Sequence, residues 1–478
     1  MTELAEATAG AASAASFAAR ASDAERAGWL DAIATLLEAH DTELIGLANE
    51  ESHLGVPRLT GELARTTGQL RHFAAVLRDG GYLEATIDHA DPGSTPPRPD
   101  LRRMLRPLGP VAVFSASNFP FAFSVLGGDT ASALAVGCPV IVKAHSGHPR
   151  LSLRVGELAT EALLAAGAPA GLLSVIVGRQ NGIDLVKHPL ITAVGFTGSL
   201  AGGRILFDLA NARPDPIPFY GELGSINPVV VTEAAASRRA GALAAALAAS
   251  FTLGVGQFCT KPGVVFYPAG SPFATETATA VGERSAAQML TERMADAFRS
   301  GSQALADHPG VDVLVESTVA ADFASPGLYS STAEVLLGDP HTLLEEVFGP
   351  ATLLISYRDS DELDAALQSL GGTLTATIHA EDDDDVTALA ERLSGLAGRV
   401  LFDGWPTGVA VTLAQQHGGP WPASTSVHTS VGGTAVRRFL RPVAWQDTPE
   451  KYLPPALVES NPLGIPRRID GVTVLSHG

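Results

Sequence analysis

Cysteine is nearly absent: Cys138 and Cys259 are the only two in 478 residues. That excludes a disulfide framework and a cysteine-built zinc site, and no metal site is expected. Two free thiols fit a reducing, cytoplasmic location. No apolar run reaches the roughly 20 residues that span a bilayer. Met1–Arg20 carries Glu3 and Glu6 and lacks a basic segment ahead of an apolar core, so it reads as a first helix rather than a targeting segment. Positive charge is scarce too: Lys+Arg 32 against Asp+Glu 51 leaves a net charge of −19. Such a surface repels nucleic acid and anionic membranes, and neither is expected as a partner. The G-x-G-x-x-G dinucleotide fingerprint is missing as well; Gly254-Val255-Gly256 comes nearest, with Cys259 where the third glycine belongs.

What is present is a large apolar fraction. Hydrophobic residues make up 46% and charged residues 17%, enough for two or three packed domains. Residues 15–80 carry apolar residues at helical spacing, as in Ala24–His40. The proline-rich Asp91–Pro99 cannot be helical and predicts a linker or an extended hairpin. From 110 to 223, strands alternate with helices. Strands are expected at Val111–Ser117, Val140–Lys143, Leu172–Val177 and Thr192–Thr197, and helices at Ser124–Val136, Arg150–Ala166, Asn181–His188 and Gly202–Asn211. This alternation predicts a parallel, doubly wound sheet with ligands at the carboxyl ends of its strands. Residues 225–440 alternate less cleanly, with strands expected at Asn227–Thr232, Gly263–Tyr267, Val311–Val315, Ala351–Tyr357 and Leu374–His379. The β-prone Gly471–Val474 could pair with the hairpin near 86–106.

Cys259 lies among small, flexible residues in Ser250–Thr260, which makes it a poor core element and a plausible nucleophile. Glu222, upstream in Tyr220–Ser225, is a carboxylate that could serve as its base. Asn118 follows the strand Val111–Ser117 and either forms a turn or donates to an oxyanion. Lys143 at a strand end is either a surface cation or a ribose ligand. Ser199 in Phe196-Thr197-Gly198-Ser199 is either a helix cap or part of a pyrophosphate site. Glu346 reads as a solvated edge by itself, and Cys138 as a small buried side chain. No histidine stands out among these motifs as a base.

Together these pieces resemble the aldehyde dehydrogenase superfamily. The matching stretches fall in the family's order: Ser117–Pro120, Val142-Lys143, Gly195–Ser199, Glu222–Gly224, Gly256–Cys259 and Glu346–Pro350. Within the family, Arg65–Arg71, Ser115–Phe121, Phe402–Val409 and His417–Ser424 are most similar to the 2,5-dioxovalerate (α-ketoglutarate semialdehyde) dehydrogenase branch, with NADP-dependent fatty aldehyde dehydrogenases close by.

The resemblance implies an α/β fold of two doubly wound domains with a small β oligomerisation element. Residues 1–85 and 107–223 would bind the cofactor, 224–440 would carry the catalytic cysteine, and 86–106 with 455–478 would form the oligomerisation hairpin and tail of a homodimer or homotetramer. Cys259 would attack an aldehyde, Asn118 and the Cys259 N–H would hold the oxyanion, and Glu222 would activate water on a thioester. Lys143, Ser146, Arg179, Phe196, Thr197, Gly198, Ser199, Glu346 and Phe348 would surround the cofactor. Family members preferring NAD often carry glutamate where Ser146 stands here, so NADP is expected to be preferred, with NAD possible. Phe119, Trp405, Thr407, Gly408 and Val409 would line the aldehyde tunnel. Arg65, with Arg71 as a second candidate, would meet a substrate carboxylate; the bland alternative is an ion pair. The expected reaction takes α-ketoglutarate semialdehyde to 2-oxoglutarate, with aliphatic aldehydes as the alternative. A cofactor-independent thiol esterase and a non-catalytic structural protein are the rivals from other classes.

Overall fold

A computed structural model describes residues 3–475. The chain opens with four helices, Glu3–Ala18, Asp23–Ala39, Asp41–Ser52 and Val56–Asp79. The second starts at a capping box: the Ser22 hydroxyl accepts from the Glu25 N–H, while the Glu25 carboxylate accepts from the Ser22 N–H. Its apolar stripe, Trp29, Leu30, Ile33 and Leu37, is buried in the core that also covers the first sheet.

That first sheet is wholly parallel, in the order Leu173–Ile176, Val140–Lys143, Val111–Phe114, Ala193–Thr197, Phe219–Glu222. The helices Pro149–Ala165, Arg179–Lys187 and Leu200–Asn211 fall where periodicity places them. The fifth strand has no alternation to announce it, and tertiary pairing with Ala193–Thr197 recruits it. The helix expected at Ser124–Val136 begins only at Gly128, because the preceding segment Ser115–Gly127 loops back over the strand end.

The second sheet has seven strands, in the order Asp312–Val315, Gly327–Thr332, Ala351–Tyr357, Val264–Pro268, Val229–Val231, Thr373–His379, Ala397–Phe402. All neighbours are parallel except the edge strand Asp312–Val315. Gly327–Thr332 and Ala397–Phe402 escape the sequence reading. The former starts on a glycine and is rich in hydroxyl residues, yet five of its six residues are buried. The latter has neither an apolar run nor clean alternation. Helix Glu233–Thr252 lies on this sheet through Leu243, Leu247 and Phe251. Together with the turn to Gly256 it is long and apolar enough to cross a bilayer, contrary to the expectation that no such run exists, because alanine dominates it. Within the protein, Arg238 pairs with Asp383 and Arg239 with Glu381 and Asp403.

A third sheet, Leu440–Gln446, Leu101–Pro107, Thr86–Asp88, Arg467–Ile469, Val472–Val474, shares no strand with these two, and a fourth joins the short strands Ala287–Gln288, Phe323–Ala324 and Val319–Ala320. The tail reaches the hairpin through Arg467–Ile469, which runs parallel to Thr86–Asp88, and Val472–Val474 forms the outer edge. The segment Gly433–Leu440 leaves the second sheet behind: Ala435, Val436 and Phe439 are buried in the core of the first.

Candidate active site

Because the first sheet is parallel, the ends of its strands share one edge. Asn118 follows Val111–Phe114, Gly198 and Ser199 follow Ala193–Thr197, and Glu222 ends Phe219–Glu222. Against this edge lies the loop that precedes strand Val264–Pro268 of the second sheet and carries Cys259. The two edges enclose a cavity of about 390 Å³ lined by Asn118, Ser146, Ser199, Glu222, Cys259 and Glu346, among others. Thr197, Gly198 and Phe348 line it too.

The loop bearing Cys259 needs glycine. Gly256 adopts φ 65°, and a Cβ there would stand 2.1 Å from the Gly349 carbonyl oxygen. Its contact brings the thiol beside the Glu346–Phe348 turn. Asn227, itself at φ 50°, donates from Nδ2 to the carbonyls of Cys259 (2.8 Å) and Lys261 (2.9 Å). Burial pushes the Cys259 thiol well above its ordinary range; the carboxylates of Glu222 and Glu346 add to this, and Arg65 opposes it.

Glu222 is 4% exposed. Its Oε2 accepts from the Ser430 hydroxyl (2.5 Å), which sits beside the buried Arg438–Asp129 ion pair. Burial pushes the Glu222 carboxyl up, but His417, Ser430 and Arg438 outweigh it, so the group lies below its ordinary value and is ionised. Oε1 faces His417 Nε2 at 2.8 Å.

His417 is the residue that the sequence reading missed as a functional group. It is buried, with Nε2 2.8 Å from Glu222 Oε1 and 3.7 Å from Cys259 Sγ. Its backbone is fixed by Thr429 and Ser430. Nδ1 has no partner, so no acid orients the ring from behind as in a hydrolase triad. The only sequence signal was its place in the branch-like stretch His417–Ser424.

Asn118 Nδ2 donates one N–H to the Gln257 carbonyl (3.0 Å), and its second N–H remains for another acceptor. Arg58 fastens the same residue by donating to its carbonyl (2.6 Å) while lying over the rings of Phe119 and Phe258. Arg65, on helix Val56–Asp79, lies 5.2 Å from the Phe123 ring. Both terminal nitrogens of Arg65 are buried without a hydrogen-bond partner. Arg71, by contrast, pairs with Glu38 on the surface.

Other expected positions stand off the cavity wall. The Lys143 stem packs against Gly182, and burial lowers its ammonium. Arg179 is exposed at the start of its helix. The Phe196 ring packs on Phe114 and Phe219. In the segment Phe402–Val409, the Trp405 ring rests on His379 (4.5 Å), Thr407 contacts Ser250 (3.5 Å), and the Gly408 carbonyl accepts from Arg399 (2.7 Å).

A family model for the aldehyde dehydrogenase family matches residues 1–439. The chain belongs to the aldehyde dehydrogenase family. As an aldehyde dehydrogenase it oxidises an aldehyde with a nicotinamide cofactor, NAD or NADP. It is 50% identical over 459 residues to alpha-ketoglutaric semialdehyde dehydrogenase 2 of Azospirillum brasilense, covering 94% of this chain and 87% of that one. It is 45% identical over 461 residues to alpha-ketoglutaric semialdehyde dehydrogenase of Acinetobacter baylyi, with the same coverage of both chains. Among solved structures, the NADP-dependent glyceraldehyde-3-phosphate dehydrogenase of Bacillus halodurans, complexed with NADP, shares the fold. Its TM-score is 0.78 at 22% identity, over 93% of this chain and 91% of that one.

Proposed function

We propose that this aldehyde dehydrogenase oxidises α-ketoglutarate semialdehyde to 2-oxoglutarate and prefers NADP. Arg65 carries the substrate reading: its buried guanidinium feels the charge of Glu62 most and those of Cys259 and Glu222 next, yet its terminal nitrogens have no hydrogen-bond partner and are left for an anionic group on the substrate. The names of the two curated relatives point the same way.

In the proposed mechanism Glu222 Oε1 takes the Cys259 proton, and the Nε2–H of His417, 3.7 Å from the sulfur, stabilises the thiolate. The thiolate attacks the aldehyde carbon. The free N–H of Asn118 and the Cys259 backbone N–H hold the resulting oxyanion. Bound NAD(P) supplies the hydride acceptor. Oxidation of the thiohemiacetal leaves a thioester on Cys259. Glu222 first releases the Cys259 proton to solvent; it then takes a proton from water, the hydroxide so formed attacks the acyl carbon, and the acid leaves while that proton returns to the Cys259 sulfur.

The cleft suits such a cofactor. A Cβ at Gly224 would stand 2.5 Å from Glu346 Oε2, so the chain keeps space for that carboxylate beside the cavity. Glu346 would accept ribose hydroxyls, Phe348 would pack beside them, and Ser199 at the start of helix Leu200–Asn211 would face the pyrophosphate. Ser146 lines the same cavity without a negative charge to repel a 2′-phosphate. In this reading the first sheet, with the N-terminal helices, binds the cofactor, the second carries the nucleophile, and the third joins subunits.

The rings of Phe119, Phe123 and Phe258, which pack edge to face, favour a second reading in which the substrate is an aliphatic aldehyde. A panel of α-ketoglutarate semialdehyde, succinate semialdehyde and medium-chain aldehydes, each with NAD and NADP, decides between them. The first reading fails if the aliphatic aldehydes give the higher kcat/KM.

A further inference from the structure

We propose that the catalytic centre doubles as a reversible zinc site. Cys259, His417 and Glu222 come from three remote segments, and their ligand atoms all lie within 4.8 Å of one another. Thiolate, imidazole and carboxylate are the donors that zinc takes, at about 2.3 Å for sulfur and 2.0–2.2 Å for nitrogen and oxygen. A tetrahedron of those bond lengths has edges of about 3.3–3.6 Å. His417 Nε2 already stands 3.7 Å from Cys259 Sγ and 2.8 Å from Glu222 Oε1. The nitrogen–oxygen edge has to open by about 0.5 Å, which a small turn of the Glu222 carboxylate supplies, and rotation about the Cys259 side chain brings the sulfur in.

Two features of the site leave these donors available. Glu222 Oε1 has His417 Nε2 as its close neighbour, a contact that opens when both atoms turn to the metal, and the partnerless Nδ1 of His417 can take the ring proton when Nε2 turns its lone pair to the metal. His417 and Glu222 are buried, whereas Cys259 is partly exposed to the cavity, so a fourth position stays open to water. Three protein ligands and one open position define a site that exchanges its metal rather than a closed structural one. Binding is a substitution without redox change: a zinc–sulfur bond forms and the thiol proton leaves to solvent. While zinc is bound, the thiol cannot attack an aldehyde, so zinc acts as a reversible off-switch that competes with substrate.

The test uses the chelator-treated enzyme and zinc sulfate alone. Competition against a chromophoric chelator should show one high-affinity zinc per chain, weakened at least tenfold in Glu222→Gln and His417→Gln and lost in Cys259→Ala. In the unmodified enzyme, zinc should protect Cys259 from iodoacetamide, and EDTA should restore alkylation; this arm needs no variant to fold. Equal zinc affinity in Cys259→Ala and the parent, or unchanged alkylation at saturating zinc, overturns the proposal. Aldehyde oxidation measured in EDTA is unaffected by either outcome, so the dehydrogenase reading stands or falls separately.

Discussion

Asn227 Nδ2 holds the backbone carbonyl of Cys259 at 2.8 Å. The same amide reaches Lys261, and its Oδ1 accepts from the Ser225 hydroxyl and the Thr375 N–H, so one buried side chain ties the nucleophile loop to strand Thr373–His379 and to the segment after Glu222. Removing it leaves several buried groups unpaired, at about 1–3 kcal/mol each. Asn227→Ala should lower Tm and slow alkylation of Cys259. A variant with parental Tm and parental alkylation rate would show that the loop holds itself.

Glu222→Gln separates the two halves of the reaction. The amide cannot take a proton from water, so hydrolysis of the thioester should fall by about 100- to 10,000-fold. A burst of reduced cofactor should persist in stopped-flow absorbance, slower at neutral pH because the amide cannot take the Cys259 proton either and recovering as pH rises, while steady turnover stays low. Unchanged turnover would remove Glu222 from the role of base.

His417→Ala removes the donor that faces the sulfur. Burial and two carboxylates already hold the thiol protonated at neutral pH, so the thiolate forms only as pH rises toward its elevated value. Loss of His417 should move the iodoacetamide pH profile further alkaline. It should also lower kcat/KM at pH 7 by about tenfold, equivalent to one hydrogen bond to a charged group. A superimposable profile would make His417 a packing residue.

Arg65→Met keeps much of the side-chain volume and removes the charge. The kcat/KM for α-ketoglutarate semialdehyde should fall by about 10- to 100-fold, as the loss of a charged hydrogen bond of 1.5–3 kcal/mol implies. The value for a medium-chain aldehyde should hold or improve. Equal losses on both substrates would mean that Arg65 supports the loop rather than the substrate.

Burial pushes the Glu346 carboxyl up to about 7, with Lys261 opposing. Only the ionised form is an acceptor for both ribose hydroxyls. NADPH should therefore bind more tightly as pH rises through about 7 and more weakly below it. Fluorescence titration in Glu346→Gln should show that dependence flattened. A parental slope in that variant would assign the pH dependence elsewhere.

Local pattern made the first sheet readable, because its four expected strands are apolar runs separated by periodic helices. Phe219–Glu222, Gly327–Thr332 and Ala397–Phe402 were not readable. Each is short or rich in small and polar residues, and each becomes a strand by pairing with a neighbour already in place. Cys259 and Glu222 were legible as candidate nucleophile and base from residue type and setting, Asn118 only as one of two alternatives after a strand, and Glu346 only through the family-like motif Glu346–Pro350. His417, Ser430 and Arg438 were not, since nothing local distinguishes a buried polar residue that serves a distant partner from one that serves its own turn.

Alternating strands and helices were enough for the class of the fold, and six short motifs in order were enough for the family. Residue type and chain order suffice for both. How the pieces act together came from packing in three dimensions. It set the carboxyl edge of one sheet against the loop ahead of a strand in the other, which brings His417 within 3.7 Å of Cys259 and leaves the Arg65 guanidinium buried without a partner. Distances between residues hundreds of positions apart follow from packing, and packing is a property of the whole chain.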